Sequence, residues 1–213
     1  MKNNKIISKT IKIIFLGESI VGKTAICNYL ISKEFNNEMI GTIGVDKYEK
    51  IVRAKNNEDI KVILWDTAGA ERFRSTGFKY LRSADSIILV FEFCHRDSFD
   101  KLDHWLDDIR DNSNAPFIIL FGNKVDSDSD KWEVTSEEVN KYVKERGFPY
   151  FEVSAKTGKG LNEGLLYIVN KMYDKKYEDN EESKDNNEII IDENKIEKEK
   201  NKSDCARNKK NKK

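Results

Sequence analysis

The sequence predicts an α/β fold, an open and mostly parallel sheet with helices on both faces. Three observations predict it. Short apolar runs that read as buried strands, at residues 10–16, 87–91 and 117–121, alternate along the 213-residue chain with stretches of helical periodicity. One pair of runs, residues 48–54 and 60–65, is joined by the five polar residues Lys55-Asn56-Asn57-Glu58-Asp59 and reads as an antiparallel hairpin. The first strand also runs straight into Gly17-Glu18-Ser19-Ile20-Val21-Gly22-Lys23-Thr24, a GxxxxGK[ST] loop with a helix behind it.

The elements follow in order. Residues 1–9 are a short polar lead. After the glycine loop, Ala25, Ile26, Tyr29 and Leu30 share one helical face. Residues 34–46 carry two glycines and two asparagines and read as a loop. The hairpin's second strand ends in Trp65-Asp66-Thr67-Ala68-Gly69, where small residues mark an abrupt turn. After the strand at 87–91, Phe99, Leu102, Trp105, Leu106 and Ile109 form one apolar helical stripe. After the strand at 117–121, Thr135-Ser136-Glu137-Glu138 is a capping box that opens a helix to about Arg146. Residues 150–153 are a short strand, and Leu161, Leu165, Ile168, Val169 and Met172 line a last amphipathic helix.

In such sheets ligands sit beyond the carboxyl ends of the strands, and the chemistry-bearing loops fall there. Gly17 and Gly22 let successive amides point into one concavity, and the following helix adds the positive end of its dipole. Lys23 reaches outer phosphates, and the Thr24 hydroxyl takes a Mg²⁺ position. Asp66 closes a hydrophobic strand, where a carboxylate holds Mg²⁺ through water, and the Gly69 amide is free to approach a terminal phosphate. Thr42 offers a second hydroxyl to the metal from a loop ordered by the third phosphate. Alone, Thr42 would be an ordinary loop threonine.

The base is read from the other strands. Asn123-Lys124-Val125-Asp126 follows a buried strand. A carboxylate such as Asp126 accepts from two adjacent donors, which guanine presents and adenine does not. Asn123 ties this loop to its neighbours, and the Lys124 stem covers the base. Ser154-Ala155-Lys156 follows the next strand, with an amide around Ala155 to meet the guanine carbonyl. His95 and His104 carry no chemistry in this reading, since His104 lies among Asp100, Asp103, Asp107 and Asp108 on a solvated helix face.

Composition bounds the rest. Thirty-eight basic and 38 acidic residues cancel, so no overall field draws the chain to nucleic acid. Three cysteines, at 27, 94 and 205, lack metal or paired spacing; Cys27 and Cys94 read as small core fillers of a reducing compartment. No apolar run reaches the length of a membrane span, and no signal-peptide pattern opens the chain.

The five loops together resemble the guanine-nucleotide motifs of the Ras-like small GTPases, over roughly residues 10–175. Within that superfamily, Ile43-Gly44-Val45-Asp46, Glu71-Arg72-Phe73-Arg74-Ser75 and Tyr80-Leu81-Arg82 resemble the Rab family. The resemblance implies a six-stranded small G domain that switches between GDP and GTP with Mg²⁺. It implies GTP contacts from Glu18, Ser19, Ile20, Val21, Gly22, Lys23, Thr24, Ala25, Thr42, Gly69, Asn123, Lys124, Asp126, Ser154, Ala155 and Lys156, with Phe35 flanking the base. Lys23, Thr42 and Gly69 are the residues it implies for hydrolysis, and Thr24, Thr42 and Asp66 those for the metal. It also implies exchange factors, GTPase-activating proteins and effectors, with residues 66–82 as a second switch, and a role in vesicle traffic.

Three departures qualify it. Ala70 stands where the family has a glutamine that orients the attacking water, so hydrolysis is expected to be very slow. Lys47 stands where a Rab usually has phenylalanine. The charged tail, residues 176–213, reads as disordered, with an acidic stretch at 178–193 and a basic end at 207–213. Its one cysteine, Cys205, lies eight residues before the last residue, outside a C-terminal lipid motif. The expectation is a largely cytoplasmic protein with weak, peripheral endomembrane contact. Two other readings remain open: a GTP-held binding module that hardly cycles, and a soluble Ras-like protein with a non-membrane duty.

Overall fold

A strand covered by helices on both faces is buried at every position, and residues Ser86–Glu92 show that pattern throughout. They form β4 of a sheet that we describe from a computed structural model covering residues 7, 9–36, 41–69, 79–114 and 116–178. The strands are β1 (Thr10–Leu16), β2 (Val45–Arg53), β3 (Asp59–Thr67), β4, β5 (Phe117–Asn123) and β6 (Tyr150–Glu152). Helices fully within the described residues include α1 (Lys23–Ser32), α2 (Arg96–Asp100), α3 (Leu102–Asn112), α4 (Ser136–Arg146) and α5 (Leu161–Tyr173).

The six strands lie in the order β2-β3-β1-β4-β5-β6. Only β2 and β3 pair antiparallel, with Lys47 opposite Trp65. The chain leaves β1 toward β3 on one side and leaves β4 toward β5 on the other. The topological switch point therefore lies at the carboxyl ends of β1 and β4, where such sheets bind ligands.

The alternation of side chains across the strands divides the core. Ile14, Leu16, Ile63, Trp65, Leu89 and Phe91 pack on one face with Leu102, Trp105 and Ile109 of α3 and Val139 of α4. Ile13, Phe15, Val62, Leu64 and Val90 are equally buried and alternate with them in sequence. In α5, Leu161, Leu165, Ile168, Val169 and Met172 are all buried, as their spacing predicts.

Some boundaries differ from the sequence reading. The loop expected over 34–46 ends earlier, because Val45 and Asp46 pair with Thr67 and Asp66 and extend β2. The tertiary ladder overrides the local glycine signal. The single stripe from Phe99 to Ile109 is two helices broken at Lys101, whose φ and ψ of −84° and 0° leave the helical region. Cys27 is buried as expected, whereas Cys94 is half-buried and fills no core. A short 3₁₀ turn at Ser129–Lys131 carries no apolar period to predict it.

Contacts divide the chain into two units, one ending at Met172 and one beginning at Tyr173. In the second, Asp174–Glu178 forms a turn of π-helix, with the Tyr173 and Tyr177 rings 5.5 Å apart. Ala70, the motif at 71–75 and the tail beyond residue 178 lie outside the described residues.

Candidate functional site

The loop after β1 owes its shape to φ angles that most residues avoid. Gly17 and Gly22 stand at 134° and 94°, and a Cβ at Gly22 would overlap the Asn123 side chain. Ile20 stands at 59°, a left-handed conformation that strains a β-branched residue, with its side chain 78% exposed. Gly22 caps α1 with no side-chain hydrogen bond, so the first-turn amides are not closed off by a capping side chain.

Lys23, 5% exposed, folds back into this loop. Its ammonium donates to the carbonyls of Gly17 at 2.8 Å and Glu18 at 2.7 Å. Burial holds its pKa down to about 8, opposed by the negative charges of Asp66 and Glu18. A buried cation on two neutral carbonyls is poised for anionic oxygens, which bind it more strongly.

Beside Lys23, three side chains meet. The Thr24 hydroxyl donates to Asp66 Oδ2 at 2.6 Å and lies 2.7 Å from the Thr42 hydroxyl, which reaches the same carboxylate oxygen at 3.2 Å. Asp66 is fully buried, and its other oxygen, Oδ1, has no hydrogen-bond partner. Burial pushes the Asp66 carboxyl above its ordinary range, offset in part by the Thr24 hydroxyl and Lys23. Two hydroxyls and an under-satisfied carboxylate form an all-oxygen set, which fits a hard cation such as Mg²⁺ that also keeps waters and phosphate oxygens. No cluster of three or more His, Cys, Asp or Glu suited to a metal occurs among the described residues. Gly69 backs onto the phosphate loop so closely that a Cβ there would overlap the Glu18 carbonyl.

The loops after β5 and β6 join the same edge. Asn123, almost fully buried, donates from Nδ2 to the Val21 carbonyl at 2.8 Å and accepts the Ala155 amide at 3.1 Å. It thus fastens three loops together, as its place after β5 suggested. The Ala155 amide points at Asn123 in this arrangement. Asp126 is held by the Ser154 hydroxyl at 2.6 Å and lies 3.9 Å from the Lys156 ammonium. Lys124 adopts φ of 66° and pairs with Glu92. Phe35 is partly exposed.

Sequence reasoning missed three partners of this edge. Glu92 ends β4 beside Lys124, and its apolar neighbours hide it within a strand signal. Trp105 and Lys101 bind the Glu18 side chain across 87 and 83 positions. Trp105 fits an apolar stripe, so periodicity alone assigns it to the core.

The family model described as "Ras: Ras family" matches residues 12–174. The chain is 37% identical over 166 residues to the Ypt/Rab-type GTPase ypt7 of Pyricularia oryzae, covering 75% of this chain and 80% of that protein. It is 39% identical over 167 residues to the Ras-related protein Rab7 of Cenchrus ciliaris, with the same coverage. To the Ras-related protein Rab7 of Drosophila melanogaster it is 39% identical over 166 residues, covering 75% of this chain and 77% of that one.

Proposed function

This chain belongs to the Ras family and is a Rab-type small GTPase of vesicle traffic, and from that premise we propose that the loops at the carboxyl edge of its sheet hold Mg²⁺ and a guanine nucleotide and hydrolyse GTP very slowly. The observation that carries the reading is the meeting of Thr24, Thr42 and Asp66 beside a buried lysine. Residues drawn from 24 to 66 converge there on an all-oxygen cluster with one carboxylate oxygen unsatisfied.

The amides of residues 18–25 cradle the phosphates, and Lys23 exchanges its two carbonyl partners for the outer phosphate oxygens. Thr24, Thr42 and Asp66 are the residues that would hold Mg²⁺, the two hydroxyls and the carboxylate offering it their oxygens. The metal neutralises charge on the outer phosphates when it is bound. The Gly69 amide meets the terminal phosphate. Asp126 accepts from the ring N–H and the exocyclic amine of guanine, with Ser154 and Lys156 holding the carboxylate in place. Phe35 flanks the base, and the Lys124 stem covers it. Position 70 offers only a methyl group, so no side chain there orients the attacking water.

Residues 10–175 make up the nucleotide-binding domain in this reading, followed by a charged segment from 176. Exchange factors, activating proteins and effectors act on Rab-type GTPases in general. The effector choice of this chain turns on Lys47. It sits opposite Trp65 in the ladder and pairs with Glu49 at 2.6 Å, while the Trp65 and Tyr80 rings lie 5.0 Å apart, tilted by 53°. A cation thus borders an aromatic pair, which disfavours a purely apolar partner surface. The protein works in the cytoplasm and meets endomembranes peripherally; among the described residues no helix is long and apolar enough to cross a membrane.

The test is the nucleotide that co-purifies with the full chain, identified by chromatography. GTP or GDP at near one equivalent supports the proposal; an adenine nucleotide, or none, contradicts it. GTP in excess of GDP supports the slow step as well.

A further inference from the structure

We propose that Trp105 and Lys101 are positioning residues for the phosphate loop, holding the Glu18 carboxylate against α3 and away from the anionic end of the nucleotide. The proposal rests on the nucleotide reading above and adds a device that this reading leaves out.

Glu18 is the only acidic residue in the loop from Gly17 to Thr24. A carboxylate turned into that hollow would repel the phosphates and weaken their binding. The structure turns it toward α3, where it is buried. Glu18 Oε1 accepts the Trp105 indole N–H at 3.1 Å, and Oε2 faces the Lys101 ammonium at 3.3 Å. The indole is 1% exposed, so its N–H depends on protein acceptors.

The fold supplies both partners from one place. Lys101 stands at the break between α2 and α3, and the Trp105 amide donates to the Lys101 carbonyl at 3.1 Å. Four positions apart, their side chains share a face. The break that interrupts the apolar stripe thus sets a cation and an indole N–H side by side.

Glu18 is a sensitive point to hold. Its carbonyl receives Lys23 at 2.7 Å, and its backbone is the surface against which Gly69 packs. Three residues on, Asn123 fastens the loop at Val21. The loop is therefore pinned at two positions by two different elements, β5 and α3. Release of either pin lets the amides that face the phosphates move.

The experiment uses the full chain loaded with a fluorescent GDP analogue and reads its dissociation rate, with the unfolding midpoint measured alongside. Trp105→Phe and Glu18→Ala are each expected to speed release on the order of tenfold. The double variant should release within about threefold of the faster single, because both remove one interaction. Lys101→Met, at a half-exposed position, tests the charge without disturbing the core. It should speed release several-fold, and adding Glu18→Gln, which keeps the oxygen for Trp105 but drops the charge, should restore it to within about twofold of the parent. A purely structural role for Lys101 would give no such rescue. Release at the parental rate in Trp105→Phe and Lys101→Met, or single effects that multiply, overturns the inference and leaves the nucleotide reading standing. A parent chain that retains no guanine nucleotide overturns both.

Discussion

Asn123 donates from its side-chain amide to the carbonyl of Val21 at 2.8 Å, across 102 positions of sequence. This contact joins the phosphate loop to the loop after β5, and the same side chain accepts the Ala155 amide. Asn123→Ala leaves two buried backbone groups without partners, at about 1–3 kcal/mol each. Urea unfolding is expected to show a loss of about 2–4 kcal/mol, together with faster nucleotide release. A stability within experimental error of the parent would mean the contact holds nothing together.

Asp66 is buried with one oxygen unsatisfied, an arrangement that costs stability unless a cation answers it. Asp66→Asn is expected to weaken Mg²⁺ binding to the GDP form by about 10–100-fold, as outer-shell substitutions do. In a chelator, without nucleotide, the same variant should unfold no earlier than the parent, because a costly buried charge is gone. A Mg²⁺ titration and a thermal scan separate the two effects. Unchanged Mg²⁺ affinity would remove Asp66 from the metal site.

Ala70 predicts a hydrolysis step without an oriented water. In single-turnover assays Ala70→Gln is expected to accelerate GTP hydrolysis on the order of tenfold or more. Equal rates for the two proteins would show that position 70 does not limit the step.

Glu138 couples a helix cap to an ion pair. It accepts the Arg96 guanidinium at 2.6 Å and the Thr135 amide at 2.9 Å, and these, Arg96 foremost, hold its pKa at about 2, below its ordinary 4.5. A lowered carboxyl pKa stabilises the fold above 4.5, and the gain is lost as pH falls through 4.5 toward 2. Glu138→Gln is therefore expected to melt below the parent at pH 7, and the gap should close by about pH 2. A gap that stays constant across that range would exclude the charge as its source.

Much of this was legible in the sequence. The strand runs at 10–16 and 117–121, the capping box at Thr135 and the apolar face of α5 are written in local periodicity, and the structure carries them nearly residue for residue. The convergence of Thr24, Thr42 and Asp66 followed from motif order and the rule that ligands sit at the carboxyl edge. Long-range partners were not legible. Nothing local tells that Val45 and Asp46 complete a ladder with Thr67 and Asp66, or that the helical stripe breaks at Lys101. Trp105 reads as core because burial and hydrogen bonding coexist in one side chain, and periodicity reports only burial.

The most direct test is base selectivity. Dissociation constants for GDP and ADP, measured on the full chain with Mg²⁺, are expected to differ on the order of a thousandfold or more in favour of GDP. Asp126→Asn should cut that preference and shift binding toward xanthosine diphosphate, whose carbonyl accepts where guanine donates. Equal affinity of the parent for GDP and ADP would contradict the account at its root.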